Sequence, residues 1–131
     1  MQKLKKFIPG IVWFLISFWL FTLPGSAIPE FDVFHKVQGD KFVHAFIFFL
    51  LGYLFISPIQ HYHIQHKKRV NWFLVMTILF MLYGIAVEFI QKNYIPFRSF
   101  DIGDIFADIV GSLLALWYAI KVWGKEVSAS K

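Results

Sequence analysis

Eight residues in this chain have types and spacings suited to chemistry. Asp40, Lys41 and His44 lie in "GDKFVHAF", Glu88 and Gln91 in "VEFIQ", and Arg98, Asp104 and Asp108 in "RSFDIGDIFAD". A histidine among carboxylates suits general acid–base work. An arginine beside them suits recognition of a phosphate or carboxylate. Asp40 and His44 stand four apart, and Lys41 and His44 three apart, so on a helix each pair shares a face. Asp104 and Asp108, like Glu88 and Gln91, are spaced to share a face in the same way.

The surroundings of these groups are apolar. Of 131 residues, 58% are hydrophobic and 16% charged, against roughly 45–50% and 25% in soluble domains. Phe occurs 17 times, more aromatic surface than a soluble fold of one-domain length can bury. Apolar runs cover Phe7–Leu23, Phe42–Pro58, Trp72–Ile90 and Ile102–Trp123. A helix needs about 20 residues to cross a hydrocarbon core of about 30 Å, and backbone inside lipid must satisfy its own hydrogen bonds. The pattern predicts an all-α membrane protein: a four-transmembrane-helix bundle with short loops, helices over about 7–23, 42–58, 72–91 and 102–123, in one domain over 1–131.

Lys and Arg set the expected direction. Their number from the N-terminus, through the three connections, to the C-terminus alternates 3-2-3-2-3, which favours both termini in the cytoplasm. "MQKLKKFIPGIVWFLISFWLFTLPGSA" also has the basic start, apolar centre and small-residue end of a signal peptide. Its long apolar run, rich in Trp and Phe, favours a retained helix. With no Cys, disulfides and thiolate metal sites are excluded. The net charge of +5 is scattered in short clusters, without the contiguous basic face of a nucleic-acid binder.

In this orientation the start of helix 2, the end of helix 3 and the start of helix 4 meet at the outer leaflet. They bring His44, Glu88, Gln91, Arg98, Asp104 and Asp108 to one layer, with Asp40 and Lys41 in the first turn of helix 2. Simpler roles compete for several of them. Asp101 and Asp104 suit an N-cap and a first-turn acid of helix 4, Asp40 suits a cap of helix 2, and Lys41 and Lys92 can reach headgroups. Glu88 and Asp108 lie inside their apolar runs, where a charge costs about 2.5–3.5 kcal/mol at full depth. They need partners, and Arg98 and His44 are the natural candidates. The cluster is then either a packing network or a pocket.

"HYHIQHKKR" carries three histidines without a nearby acid or Cys and suits an interfacial basic loop better than a metal site. "GSLLA" at 111–115 is a small-xxx-small pattern that lets helix 4 pack closely on a neighbour. No glycine-rich phosphate loop, H-E-x-x-H or dinucleotide fingerprint occurs. No cofactor is expected.

"DKFVHAFIFFLLGY", "GIAVEFIQ" and "RSFDIGDIFADIVGSLLA" together resemble the VanZ-like family of small bacterial membrane proteins, over about residues 20–120. That pattern is an Asp-Lys-x-x-His opening one helix and a Glu-x-x-Gln closing the next. An Arg and an Asp then lead into a polar residue, a Gly and a further small residue. Its polar positions fall on Asp40, Lys41, His44, Glu88, Gln91, Arg98, Asp104 and Gly111. The chain departs from it at Asp108, where Asn is often found, and at Ala115, where Gly is frequent. The resemblance implies an integral protein of the bacterial inner membrane and cell envelope, with an association with resistance to the glycopeptide antibiotic teicoplanin.

Three functions follow as expectations. The first is binding of a lipid-linked or cell-wall-related ligand in the outer-leaflet pocket, by Asp40, Lys41, Gln91, Arg98 and Asp108. The alternative is a membrane-embedded hydrolase or transferase acting on a lipid or lipid-linked headgroup, with His44, Glu88 and Asp104 as catalytic groups. Ser99 and Tyr94 are the local hydroxyls, and His44 with Glu88 or Asp104 could instead hold a metal. An ion pathway ranks lowest, because no strong acid stands midway along a helix.

Overall fold

The computed structural model describes residues 2–27 and 39–125. Four helices organise them: α1 (Ile8–Phe21), α2 (Gly39–Ile56), α3 (His66–Tyr94) and α4 (Ile102–Trp123). A helical turn, Gln2–Lys5, precedes α1, and 3₁₀ turns follow α1 at Gly25–Ala27 and α2 at Ser57–His61. There is no strand among the described residues. All four helices are long and apolar enough to cross a membrane, counting the leading turn with α1.

Two of the helices extend past their apolar runs. α2 starts at Gly39, so Asp40 lies in its first turn and is not its cap. α3 takes in "HKKR" at one end and "KNY" at the other. Its 29 residues at 1.5 Å each span roughly 43 Å, longer than the roughly 30 Å of a hydrocarbon core. Lys and Arg are good helix formers, and their heads can stay in water while the helix continues. Hydropathy marks only the part of a helix that lipid surrounds.

α2 and α4 form the most extensive helix pair. Small residues make the approach possible. Gly111 lies against the carbonyl of Ala45, and a Cβ on Gly52 would stand 2.6 Å from that of Ala115. The "GSLLA" stretch thus serves packing within the chain, with Gly111 and Ala115 both buried. α3 packs on α4 and α2, and α1 rests more lightly on α2 and α3. One apolar cluster joins Phe21, Ile47, Phe48, Leu51, Phe80 and Val87; a second joins Ile56, Ile59, Phe73 and Ala119. Large apolar side chains point outward from every helix, including Leu15, Phe46, Leu82 and Trp117. In water this surface would be a liability; in lipid it is the proper outside.

Helix ends are tied by neighbouring elements. The carbonyls left over at the end of α1 receive Gln91 Nε2 on Phe21 O at 3.0 Å and Arg98 Nε on Leu23 O at 3.4 Å. Gly25 N–H donates to Pro96 O at 3.1 Å. At the opposite end of the bundle, His66 hydrogen-bonds Gly124 O, and Arg69 Nη1 donates to Trp123 O at 3.3 Å. Basic side chains of α3 therefore hold the negative end of α4. His66 is committed to this tie, and among the described residues the loop histidines converge with no acid.

Candidate functional site

The site is built at the end of the bundle where α2 and α4 begin and α3 finishes. Asp101 caps α4 through Oδ1, which accepts from Gly103 N–H at 2.7 Å. That cap fixes the first turn of α4 and places Asp104 and Asp108 one turn apart, facing α2 and α3. Both are buried, as are Glu88 and His44.

Lys41 gathers the outer acids. Its Nζ lies 2.8 Å from Asp101 Oδ2, 3.2 Å from Asp104 Oδ1 and 3.5 Å from Asp40 Oδ2. Deeper, His44 Nδ1 stands 2.9 Å from Asp108 Oδ1, and Nε2 stands 3.7 Å from Asp104 Oδ2. A carboxylate oxygen accepts, so Nδ1 carries the proton in that contact. Glu88 Oε2 accepts the backbone N–H of Asp101 at 2.9 Å. Among the described residues, two buried side-chain oxygens have no hydrogen-bond partner: Glu88 Oε1 and Asp108 Oδ2. Buried polar atoms usually have one.

The structure redistributes the expected partners. His44 takes Asp108. Arg98 makes no ion pair among the described residues; its one hydrogen bond is through Nε to a backbone carbonyl. Lys41 does the pairing instead. The Arg98 charge still acts within the fields of Asp104 and Glu88, while burial lowers its pKa. Gln91 is 1% exposed and held by α1. Asp40 is largely exposed at the mouth. Tyr94 is 79% exposed and Ser99 lies on the exposed loop, so neither hydroxyl belongs to the buried group.

Some contributors went unnoticed in the sequence. Asp101 is more than a cap: it joins Lys41, the α4 start and Glu88 in one network. Its pKa is lowered, first by the Lys41 hydrogen bond and then by Gly103 N–H. Gly84 makes room for Asp108, since a Cβ there would stand 2.7 Å from Asp108 Oδ2. The available signal was a Gly one turn before Glu88, inside an otherwise bulky helix. Ser112 donates to the backbone carbonyl of Asp108 at 2.8 Å. Phe21 roofs His44, their ring centroids 4.9 Å apart.

The fold and the site define a small bundle of four potential membrane-spanning helices with a buried His–carboxylate cluster at one end. The chain is similar to an uncharacterized protein of the fission yeast Schizosaccharomyces pombe, 30% identical over 106 residues. The aligned region is 81% of this chain, and it spans only 57% of the yeast protein. No protein-family model matches the chain. No solved structure matches it either.

Proposed function

We propose that the chain is a multi-pass membrane protein whose end-of-bundle cluster binds the anionic headgroup of a lipid or lipid-linked molecule. One observation carries the reading: Arg98 is a half-buried guanidinium with no carboxylate partner among the described residues, standing beside a buried acid–histidine cluster. Its outer nitrogens suit a bidentate grip on a phosphate or carboxylate. Asp40 and Lys41 line the mouth. Such a site lies at the level where headgroups lie when the helices cross a membrane.

The VanZ-like pattern adds a bacterial cell-envelope setting, an extracytoplasmic cluster and a link to teicoplanin susceptibility. The enzymatic reading, hydrolysis or transfer on the same headgroup, is favoured by the buried Asp108–His44 pair. That pair resembles a base and its orienting carboxylate.

Titration of nanodisc-embedded protein with a short-chain polyprenyl phosphate and with phosphatidate tests the binding. Saturable binding that falls at least tenfold in Arg98→Gln, with Lys92→Gln unaffected, supports the reading. Equal binding by wild type and Arg98→Gln refutes it. Release of inorganic phosphate during the titration would move the assignment to the enzyme.

A further inference from the structure

The groups around His44 have the geometry of metal ligands. His44, Glu88 and Asp104 each offer one ligand atom, all within 4.8 Å of one another. His44 Nε2 and Asp104 Oδ2 are 3.7 Å apart. Two ligands on a tetrahedral ion with bonds of about 2.1 Å stand about 3.4 Å apart, so a small contraction brings the His44–Asp104 pair to ligand spacing, with Glu88 drawn in from within 4.8 Å. Lys41 occupies Asp104 Oδ1 and leaves Oδ2 facing the histidine.

One further observation points to a cation. Glu88 is fully buried, and its Oε1 has no hydrogen-bond partner among the described residues. An uncommitted buried carboxylate oxygen is costly unless something positive meets it.

We propose that His44 Nε2, Glu88 and Asp104 bind a divalent transition-metal ion, with Asp108 orienting His44. A carboxylate accepting the other ring N–H of a metal-binding histidine is the usual outer-shell arrangement, and Asp108 Oδ1 stands there at 2.9 Å. One imidazole and two carboxylates suit Zn²⁺ or Mn²⁺ better than Ca²⁺ or Mg²⁺, which prefer oxygen alone. Three protein ligands leave a coordination position open. The second acidic group, Asp40, Asp101 and Asp104, needs no ion, because the Lys41 ammonium sits among its three carboxylates.

The test uses the untagged full chain in detergent, with His61→Gln and His63→Gln introduced to remove loop histidines as competing ligands. After incubation with Zn²⁺ or Mn²⁺ and desalting, elemental analysis gives the bound metal. About one ion per chain is expected, with a higher Tm than chelator-treated protein. His44→Gln and Glu88→Gln lose the ion, and Asp108→Asn binds roughly 10–100-fold more weakly. Arg98→Gln keeps the ion, which separates this proposal from the headgroup reading. No ion in the starting protein, or undiminished binding in both ligand variants, overturns it. If a ligand variant fails to fold, Co²⁺-loaded protein decides. An intense visible spectrum of a four- or five-coordinate ion supports the site, and the weak spectrum of the aquo ion overturns it.

Discussion

Lys41 shows what a side chain can reveal before any fold is known, and what it cannot. That polar groups inside greasy helices must meet one another follows from the cost of leaving them in hydrocarbon, and this much was legible. Which cation meets which acid depends on the rotation and register of α2 against α4, and charge spacing along one helix carries no such information. Sequence reasoning favoured Arg98 and His44 as partners of the buried acids and gave Lys41 a headgroup role; Lys41 took Asp101 and Asp104 because α2 begins beside the first turn of α4. The Lys41–Asp101 contact has a pH signature. The folded-state pKa of Asp101 is depressed, so its contribution is present above the ordinary aspartate value of about 3.9 and is lost as pH falls through the lower folded value. Thermal unfolding from neutral to acid pH should therefore show less loss of stability on acidification in Lys41→Met than in wild type. Parallel curves would mean that the ion pair contributes nothing.

Among the elements, α4 was the most legible: the apolar run and the helix share the limits 102 and 123, because Asp101 stops it at one end and Gly124 at the other. α3 was the least, since its charged ends continue as helix beyond the apolar run. The small residues of α4 signalled close packing, but only the structure shows that α2 is the neighbour. Gly111→Ala should cost about 1–3 kcal/mol. The new Cβ meets the Ala45 backbone carbonyl, which cannot swing aside, and that outweighs a propensity gain of about 1 kcal/mol. Gly10→Ala makes the control. Its Cβ comes closest to the Phe55 ring, at 2.9 Å, and a ring can turn; the Leu54 carbonyl stands farther off, at 3.4 Å. Tm values in detergent should fall for the first variant and change little for the second. Similar losses in both would remove the α2–α4 contact as the explanation.

At the scale of the whole molecule the two ends differ in charge. Lys3, Lys5, Lys6, Lys67, Lys68, Arg69, Lys121 and Lys125 gather at the end away from the site, against Lys41, Lys92 and Arg98 at the site end, among the described residues. We expect the richer end to be cytoplasmic. The chain has no Cys, so a single introduced thiol reports cleanly. In intact cells an impermeant maleimide should label Ser99→Cys and leave Lys67→Cys untouched until the membrane is opened. The reverse pattern would invert the molecule and put the cluster on the inner face.

The close pairing of α2 with α4, rather than with its neighbours in the chain, bears on biogenesis. Sixty-seven residues separate the end of α2 at Ile56 from the end of α4 at Trp123, and a ribosome adding about 5–20 residues per second takes roughly 3–13 s to make them. In a chain made from its N-terminus, Lys41 and His44 spend that interval without the α4 acids that later hold them. If α2 enters a membrane first, two of its polar groups stay unpaired until α4 arrives.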